Sequence, residues 1–139
     1  MLSRICRFGG HVPSLYSVAQ HSVLVSLLCD PADAREGLFH DAAEAFVGDC
    51  VSPLKRHPAM WGYRDIEQRV HAALMRRFGL REALPPSVLL ADERVYLAEV
   101  RDLFPPDQYA ERARWSRETP MTKFVVVPWT SVAAERAFM

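Results

Sequence analysis

One short stretch of the chain, residues 39–49, concentrates side chains that can bind a metal ion or move a proton. It carries His40, Asp41, Glu44 and Asp49 among residues that are otherwise small or apolar. Ionisable groups in an apolar helix are unfavourable unless they are paired or coordinate an ion. The stretch therefore needs partners from elsewhere in the chain.

Two more residues complete a set with metal-ligand chemistry. His21 lies on the inward face of the helix predicted before the stretch, and Asp92 lies near the start of the last long helix. With His40 and Asp41 they offer two imidazoles and two carboxylates. Mixed nitrogen and oxygen ligands suit one divalent ion, such as Mn, Co, Ni, Fe or Zn, and suit Mg less well.

Two acids are placed to handle protons beside such an ion. Glu44 follows His40 by four residues, on the same helical face, so its carboxylate would lie next to the ion rather than on it. A carboxylate there can take a proton from water or give one to a leaving group. Asp49, just beyond Gly48, would support the same water or leaving oxygen.

Each of these residues has a more ordinary interpretation when it is taken alone. A single inward histidine such as His21 is more often a core histidine with a hydrogen-bond partner. The acids Asp92, Glu99 and Asp102 follow one side of a helix, which usually marks a solvated face. An all-α structural or interaction domain is then the alternative, and the four ligands together argue against it.

Helical periodicity, caps and breakers predict one all-α domain over residues 1–139, a bundle of five to seven helices around one core. Residues 1–14 are expected to form a short turn and a surface lead-in, and the helix at 61–78 is expected to be structural. A helical turn is expected at 108–113 and an extended segment at 124–127. The predicted helices are at about 17–29, 33–47, 61–78, 87–104 and 130–138.

Composition narrows the class of protein. Formal net charge is zero and no basic stripe stands out, so binding to long nucleic acid is not indicated. The three cysteines form no C-x-x-C motif and read as free thiols of a reducing compartment. No apolar run approaches the roughly 18 residues of a membrane span. We therefore expect a soluble cytoplasmic protein.

The ordered pattern of His21, His40-Asp41 and Asp92 resembles the HD superfamily of metal-dependent phosphohydrolases. A longer match resembles the small bacterial 5′-deoxynucleotidases and the related phage enzymes that hydrolyse deoxynucleoside triphosphates such as dATP. The similarity runs from about Arg4 to Phe104, and the ending at 128–130 also looks like the phage-type relatives. The segments that carry it are Tyr16–Ser22, His40–Asp49 and Ser52–Lys55.

The resemblance implies a role for each matching position. Glu44 matches the catalytic acid of the family, and Asp49 is similar to a second acid that assists it. Four positions match the ligands of one divalent metal ion, namely His21, His40, Asp41 and Asp92.

Further positions match contacts to the substrate. Arg7 and Phe8 match an Arg-aromatic pair in which the Arg contacts phosphate and the ring helps to select a 2-deoxy sugar. The nucleotidases usually have Trp where this chain has Phe8. Lys55 is expected to contact phosphate, because a point charge on a mobile stem suits that task.

The implied function is hydrolysis of a deoxynucleotide by metal-activated water. The reaction would release phosphate from a 5′-monophosphate or triphosphate from a deoxynucleoside triphosphate. The alternative is an inactive HD domain that binds a nucleotide or a protein partner. The resemblance also implies a homo-oligomer, a dimer or larger, in the cytoplasm, or in the host cytoplasm if the protein is phage-encoded. Relatives have more residues before the Arg-aromatic pair, so we expect a truncated or minimal domain with one side of the pocket open or completed by a neighbouring subunit.

Overall fold

The computed structural model describes residues 1–114 and 125–139, and the prediction of an all-α bundle of five to seven helices is confirmed. The helices of six or more residues in these ranges are α1 (Val18–Leu28), α2 (Ala34–Phe39), α5 (Trp61–Phe78), α6 (Pro86–Leu103), α7 (Pro106–Ala113) and α8 (Ser131–Phe138). Two four-residue helices between them are α3 (Glu44–Val47) and α4 (Ser52–Lys55). Short 3-10 turns lie at Leu2–Arg4, Arg7–Gly10, Pro31–Asp33 and Pro58–Met60.

Several helix ends follow from the capping residues. The Ser17 hydroxyl accepts a hydrogen bond from the Gln20 backbone N–H at the start of α1. Thr130 caps α8 in the same way. Gly79 ends α5 with φ 66°, a left-handed conformation that glycine adopts without a Cβ clash. The predicted extents of these three helices are confirmed to within about two residues, the usual uncertainty of helix ends.

The single helix predicted over 33–47 is wrong, because a turn at residues 40–43 separates α2 from α3. The His40 side chain donates through Nδ1 to the Gly37 carbonyl at 2.7 Å. In a continuous α-helix that carbonyl would accept from the Asp41 N–H, so the side chain competes with the helix. Bonds between residues three apart, such as Glu44 N–H to Asp41 O at 3.0 Å, then tighten the chain.

The N-terminal segment is part of the bundle rather than a surface lead-in, which corrects the expectation for residues 1–14. Leu2 is buried, and the Val18 N–H donates to the Ile5 carbonyl at 3.0 Å. The Arg7 N–H donates to the Tyr16 carbonyl at 2.9 Å. These two bonds align the segment with the start of α1 and set the position of the Arg7 side chain.

Helix α1 is the centre of the bundle and packs against α2, α6 and α8. Eight consecutive residues of α1, Val18–Val25, are buried, as expected for a helix that is covered on all sides. Buried Gln20 bonds the Val127 carbonyl and the Trp129 N–H, each at 2.8 Å, and so ties the segment before α8 to this helix.

The region after α6 is partly as predicted. The turn expected at 108–113 is the longer helix α7. Phe124 of the expected extended segment lies outside the described residues, and residues 125–127 are not a strand. Asp102 is not part of a solvated acidic face, because its carboxylate accepts from the Val126 N–H at 2.7 Å and pairs with Arg101 at 2.6 Å.

No helix within residues 1–114 and 125–139 is long and apolar enough to cross a bilayer.

The approach of α2 to α1 depends on a glycine. A Cβ added to Gly37 would lie 3.0 Å from the Ser26 Cα and 3.0 Å from the Cys29 Sγ. Because Ser26 presents backbone atoms there, the two helices would have to move apart. We expect Gly37→Ala to lower the free energy of unfolding by about 1–3 kcal/mol, measured by urea denaturation.

Gly62→Ala is the matched control, because nothing lies within 4 Å of the added Cβ in α5. This change should leave stability unaltered or raise it by roughly 0.5–1 kcal/mol. Equal effects of the two substitutions would contradict the close-contact explanation.

Candidate metal centre

Two histidines from different elements meet at the centre of the bundle. His21 lies on buried α1, and His40 lies in the turn that follows α2. Their Nε2 atoms are 3.2 Å apart. The contact exists because Gly37 lets α2 approach α1 closely.

The second nitrogen of each ring determines what these Nε2 atoms present. The Nδ1 atom of His40 faces the Gly37 carbonyl, which can only accept, so that nitrogen carries the proton. The Nδ1 atom of His21 lies 2.6 Å from Oε1 of Glu99, whose pKa is lowered and which therefore accepts as a carboxylate. If both rings are neutral, each Nε2 atom is therefore unprotonated, and the lone pairs of the two Nε2 atoms face each other. Such a contact requires a cation or a proton between them.

Two carboxylates approach the same point. Oδ2 of Asp41 is 3.2 Å from Nε2 of His40 and 3.6 Å from Nε2 of His21. Oδ1 of Asp92 is 3.1 Å from Nε2 of His21 and 3.9 Å from Nε2 of His40. Atoms bound to one divalent ion at about 2.0–2.2 Å lie roughly 3.0–3.4 Å from their neighbours. The contacts at 3.1 and 3.2 Å match this spacing and those at 3.6 and 3.9 Å are longer, so the donor set fits such an ion after a small movement of the two carboxylates.

All four predicted ligands are brought together, although not equally tightly. The ligand atoms of His21, His40 and Asp41 all lie within 4.8 Å of one another. Asp92 stands outside this group and approaches the two histidines. It is also the most exposed of the four, with 42% of its side chain accessible. The three buried or half-buried residues form the base of the centre, and Asp92 closes it from α6.

The electrostatics of the centre favour added positive charge. Burial alone would lower the pKa of His40, but Asp41 and then Asp92 outweigh it and raise the pKa to about 9. Burial alone would raise the pKa of Asp41, but His40 and also His21 and Arg7 hold it well below its usual range. Without a metal ion, the cluster therefore takes up a proton near neutral pH.

Glu99 was missed as a site residue, and its assignment to a solvated acidic face is wrong. It is fully buried and accepts from Nδ1 of His21 at 2.6 Å, the Tyr16 hydroxyl at 2.8 Å and Nη2 of Arg7 at 3.2 Å. Its spacing of two helical turns from Asp92 was a usable signal, since both then face α1. A carboxylate behind a ligand histidine holds the ring orientation and raises its basicity.

Arg7 bridges the two carboxylates on either side of the centre. Its Nη1 donates to Asp41 and its Nη2 to Glu99, each at 3.2 Å. The guanidinium thus already has carboxylate partners, while its buried Nε has none in the described part of the chain. The predicted contact of Arg7 with phosphate remains a prediction, and its visible role is to balance the charge of the carboxylates.

A pocket opens beside the centre, with a cavity of about 360 Å³. It brings together every predicted site residue except the two histidines, which lie behind its wall. Those residues are Arg7, Phe8, Asp41, Glu44, Asp49, Lys55 and Asp92. Residues that the sequence did not single out also line the pocket, among them His11, Cys50, Ser52, Tyr96 and Arg112.

The two predicted proton-handling acids line the pocket, and each has a carboxylate oxygen with no hydrogen-bond partner among the described residues. These oxygens, Oε2 of Glu44 and Oδ2 of Asp49, are buried. Burial raises the pKa of Glu44 to about 9, and the charges of Asp41 and Asp49 add to the rise. Burial also raises the pKa of Asp49, against the lowering effect of Arg7. In the metal-free protein Glu44 is therefore protonated at neutral pH.

Phe8 forms part of the pocket wall in an unusual backbone conformation. Its φ of 57° is in the left-handed region, the only such non-glycine residue in the described ranges. Its ring meets Phe104 edge to face at 5.0 Å and lies 6.2 Å from Tyr96. Left-handed backbone in a non-glycine residue is strained and is typical of positions that the surrounding structure holds for a purpose.

The remaining predicted contact, Lys55, lies at the pocket wall but is engaged. Its Nζ atom is 2.6 Å from Oε2 of Glu67 on α5, and a third of its side chain is exposed. Lys55 is therefore oriented by an ion pair that the sequence did not predict.

The chain is similar to two bacterial proteins. It is 42% identical over 102 residues to the uncharacterized protein YfdR of Escherichia coli. The aligned region covers 73% of this chain and 56% of YfdR. It is 35% identical over 96 residues to the uncharacterized protein RCAP_rcc00048 of Rhodobacter capsulatus. The aligned region covers 63% of this chain and 48% of that protein. The chain thus spans about half the length of the curated relatives it matches. No protein-family model matches it.

Glu99 offers a test of the centre that leaves all four ligands in place. Glu99→Gln keeps an acceptor for His21 but removes the charge behind it, so metal affinity should fall roughly 10–100-fold. Titration calorimetry with Mn²⁺ or Zn²⁺ measures this. Glu135→Gln, an exposed carboxylate on α8, is the control and should bind the ion as the unchanged protein does. Unaltered affinity in Glu99→Gln would contradict the assigned role.

Proposed function

We propose that this protein is a metal-dependent phosphohydrolase of the HD superfamily that acts on deoxynucleotides, either 5′-monophosphates or triphosphates. One observation carries the proposal: the lone pairs of His21 and His40 converge with the carboxylates of Asp41 and Asp92 beside a pocket. The order of these residues in the chain and the presence of Glu44 in the same pocket support it further.

The four ligands would hold one divalent ion, of which Mn, Co, Fe, Ni, Zn and Mg are candidates. When bound, such an ion acts as a Lewis acid toward a phosphoryl oxygen. It also lowers the pKa of water, so that a hydroxide nucleophile is available near neutral pH. The protein's part is to orient the ligands, and Glu99 and the Gly37 carbonyl do so for the two histidines. Arg7 keeps Asp41 ionised and in place.

Glu44 is the residue placed to move the proton. It lines the pocket next to Asp41, it is buried, and its Oε2 has no hydrogen-bond partner within residues 1–114 and 125–139. Phosphoryl transfer needs little covalent help from the protein, so positioning and proton transfer to the leaving oxygen are what a side chain can add. Asp49, close enough to act on the pKa of Glu44, assists in holding that proton.

The pocket has the chemistry that a nucleotide needs. Its volume of about 360 Å³ lies in the usual range for small-molecule sites. The aromatic rings of Phe8 and Tyr96 offer apolar surface for a sugar or base, and the cations of Lys55 and Arg112 offer partners for phosphate. These features support a phosphorylated ligand with a flat ring system.

The proposal includes a cytoplasmic homo-oligomer, in the host cytoplasm if the protein is phage-encoded. The thiols of Cys6, Cys29 and Cys50 are free, which supports a reducing compartment. Trp61 and Phe46 expose most of their side chains, which supports contact with a second copy.

Metal analysis combined with a phosphate-release screen tests the function. The screen covers ribo- and deoxynucleoside mono-, di- and triphosphates with Mn, Co, Mg and Zn in turn. His40→Ala should abolish bound metal and turnover together, and chelation should lower the melting temperature of the unchanged protein, because an ion that binds only the folded state stabilises it. His57→Ala, an exposed histidine outside the pocket, should do neither.

Two results would contradict the proposal in different ways. Retained metal with no hydrolysis of any nucleotide would favour the alternative, an inactive domain that binds nucleotide or a partner. A melting temperature that chelator leaves unchanged, with turnover persisting in metal-free protein, would contradict the metal centre itself.

Glu44→Gln separates proton transfer from metal binding. The change keeps the shape of the side chain but removes its proton chemistry, so turnover should fall by about 10²–10⁴-fold while metal content stays the same. Steady-state phosphate release and metal analysis on the same preparation measure both quantities. Turnover within a factor of two of the unchanged protein would rule out the assigned role.

A further inference from the structure

Helix α5 contributes to the site as well as to the bundle, because side chains from its first half contact the segment that brings Asp49 and Lys55 to the pocket. The Tyr63 hydroxyl donates to the Gly48 carbonyl at 2.8 Å, just before Asp49. Nη1 of Arg64 donates to the Lys55 carbonyl at 2.6 Å. These contacts determine the path of residues 48–55, which otherwise has little regular structure beyond α4.

Glu67, one turn further along α5, contacts the functional end of Lys55. The two charges are 2.6 Å apart, and only 15% of the Glu67 side chain is exposed. Lys55 lines the main pocket and also a second cavity of about 270 Å³ that Glu67 shares with His40, Asp41, Glu44 and Asp92. The ammonium group thus stands between two openings, both of which reach the metal ligands.

This arrangement leaves Lys55 competent to bind an anion. An ammonium group has three donors, and Glu67 takes one of them. A free lysine stem is highly mobile and loses rotamer freedom when it binds, so a stem that is already held binds at lower entropic cost. Asp41 and Glu44 are close enough to act on the charge of Lys55. Without Glu67 the ammonium group would be free to pair with these acids instead of with an anion in the pocket.

We propose that Glu67 is a positioning residue that holds Lys55 in place to grip a phosphate group in the pocket. This proposal rests on the proposed function, because it takes the ligand to be a phosphate ester. It adds α5 to the site and assigns a role to a helix that does not itself face the main pocket.

Glu67→Ala in the full chain, loaded with Mn²⁺, tests the proposal with inorganic phosphate as the probe. Loss of the held lysine should weaken phosphate binding about tenfold in titration calorimetry. With a nucleotide that the protein hydrolyses, KM should rise by a similar factor while kcat changes little. Glu67→Gln retains an acceptor for Lys55 and should restore most of the affinity. Asp65→Ala, on the exposed side of α5 and paired with Arg69, is the matched control and should bind phosphate normally.

A double-mutant cycle shows whether Glu67 acts through Lys55. Lys55→Ala should weaken phosphate binding, and adding Glu67→Ala to it should cause no further loss. Equal losses from Glu67→Ala with and without Lys55 would overturn the proposal, as a general effect on α5. Tighter phosphate binding by Glu67→Ala would also overturn it, because Glu67 would then be a competitor for Lys55.

The outcomes separate this proposal from the proposed function. Phosphate binding that follows the expected pattern, with no hydrolysis of any nucleotide, would overturn the enzymatic function and support the positioning role. If metal-loaded unchanged protein does not bind phosphate, the positioning role is overturned whatever the protein hydrolyses. Melting temperatures of all variants establish that each is folded.

Discussion

The close contact between the Nε2 atoms of His21 and His40 is the constraint on which the rest of the structure depends. Two neutral imidazoles would not hold their lone pairs 3.2 Å apart unless other contacts forced them together or a cation joined them. The first reason applies here. Gly37 removes the Cβ that would keep α2 away from α1, and its carbonyl orients His40, while Glu99 orients His21. Packing thus produces this geometry, and a proton or a metal cation between the two nitrogens would stabilise it.

The charged groups around the two histidines indicate how much positive charge would neutralise the centre. Asp41, Asp92 and Glu99 all have lowered pKa values and are ionised at neutral pH, although burial opposes this in each case. Arg7 is the cation that contacts Asp41 and Glu99 directly. With both imidazoles neutral, the three carboxylates and the guanidinium leave two negative charges at the centre, which a single divalent ion would match. Such an excess of carboxylates in and beside the core is unfavourable without a counter-ion, so we expect the free energy of unfolding to rise when a cation binds.

The sequence predicted local structure and chemical type well, and long-range neighbours less well. The helices α1, α5, α6 and α8 follow from periodicity and caps, and the four residues proposed as ligands were selected by residue type and order. The role of Glu99 could not be seen in the same way, because helical periodicity says that a face is inward but not which side chain it meets. His21 and Glu99 are 78 residues apart in the chain. The break at His40 was missed because a side-chain hydrogen bond to Gly37 competes with the helix, which propensity alone does not report.

The site divides into two parts with different mechanical support. The centre rests on α1, on α6 and on the turn that follows α2. His21, His40 and Asp41 each have a second contact that holds them, to Glu99, the Gly37 carbonyl and Arg7 respectively. The pocket side rests on the turn at Arg7–Gly10 and on residues 48–57. The second segment contains the single-turn helix α4 and accepts hydrogen bonds from Tyr63 and Arg64 of α5. Changes in such loops disturb the core little, so residues there other than Arg7, which contacts Asp41 and Glu99, can vary without loss of the candidate centre. Under the proposed function, metal binding would depend on the packed core, whereas substrate choice would depend on the short segments that surround it.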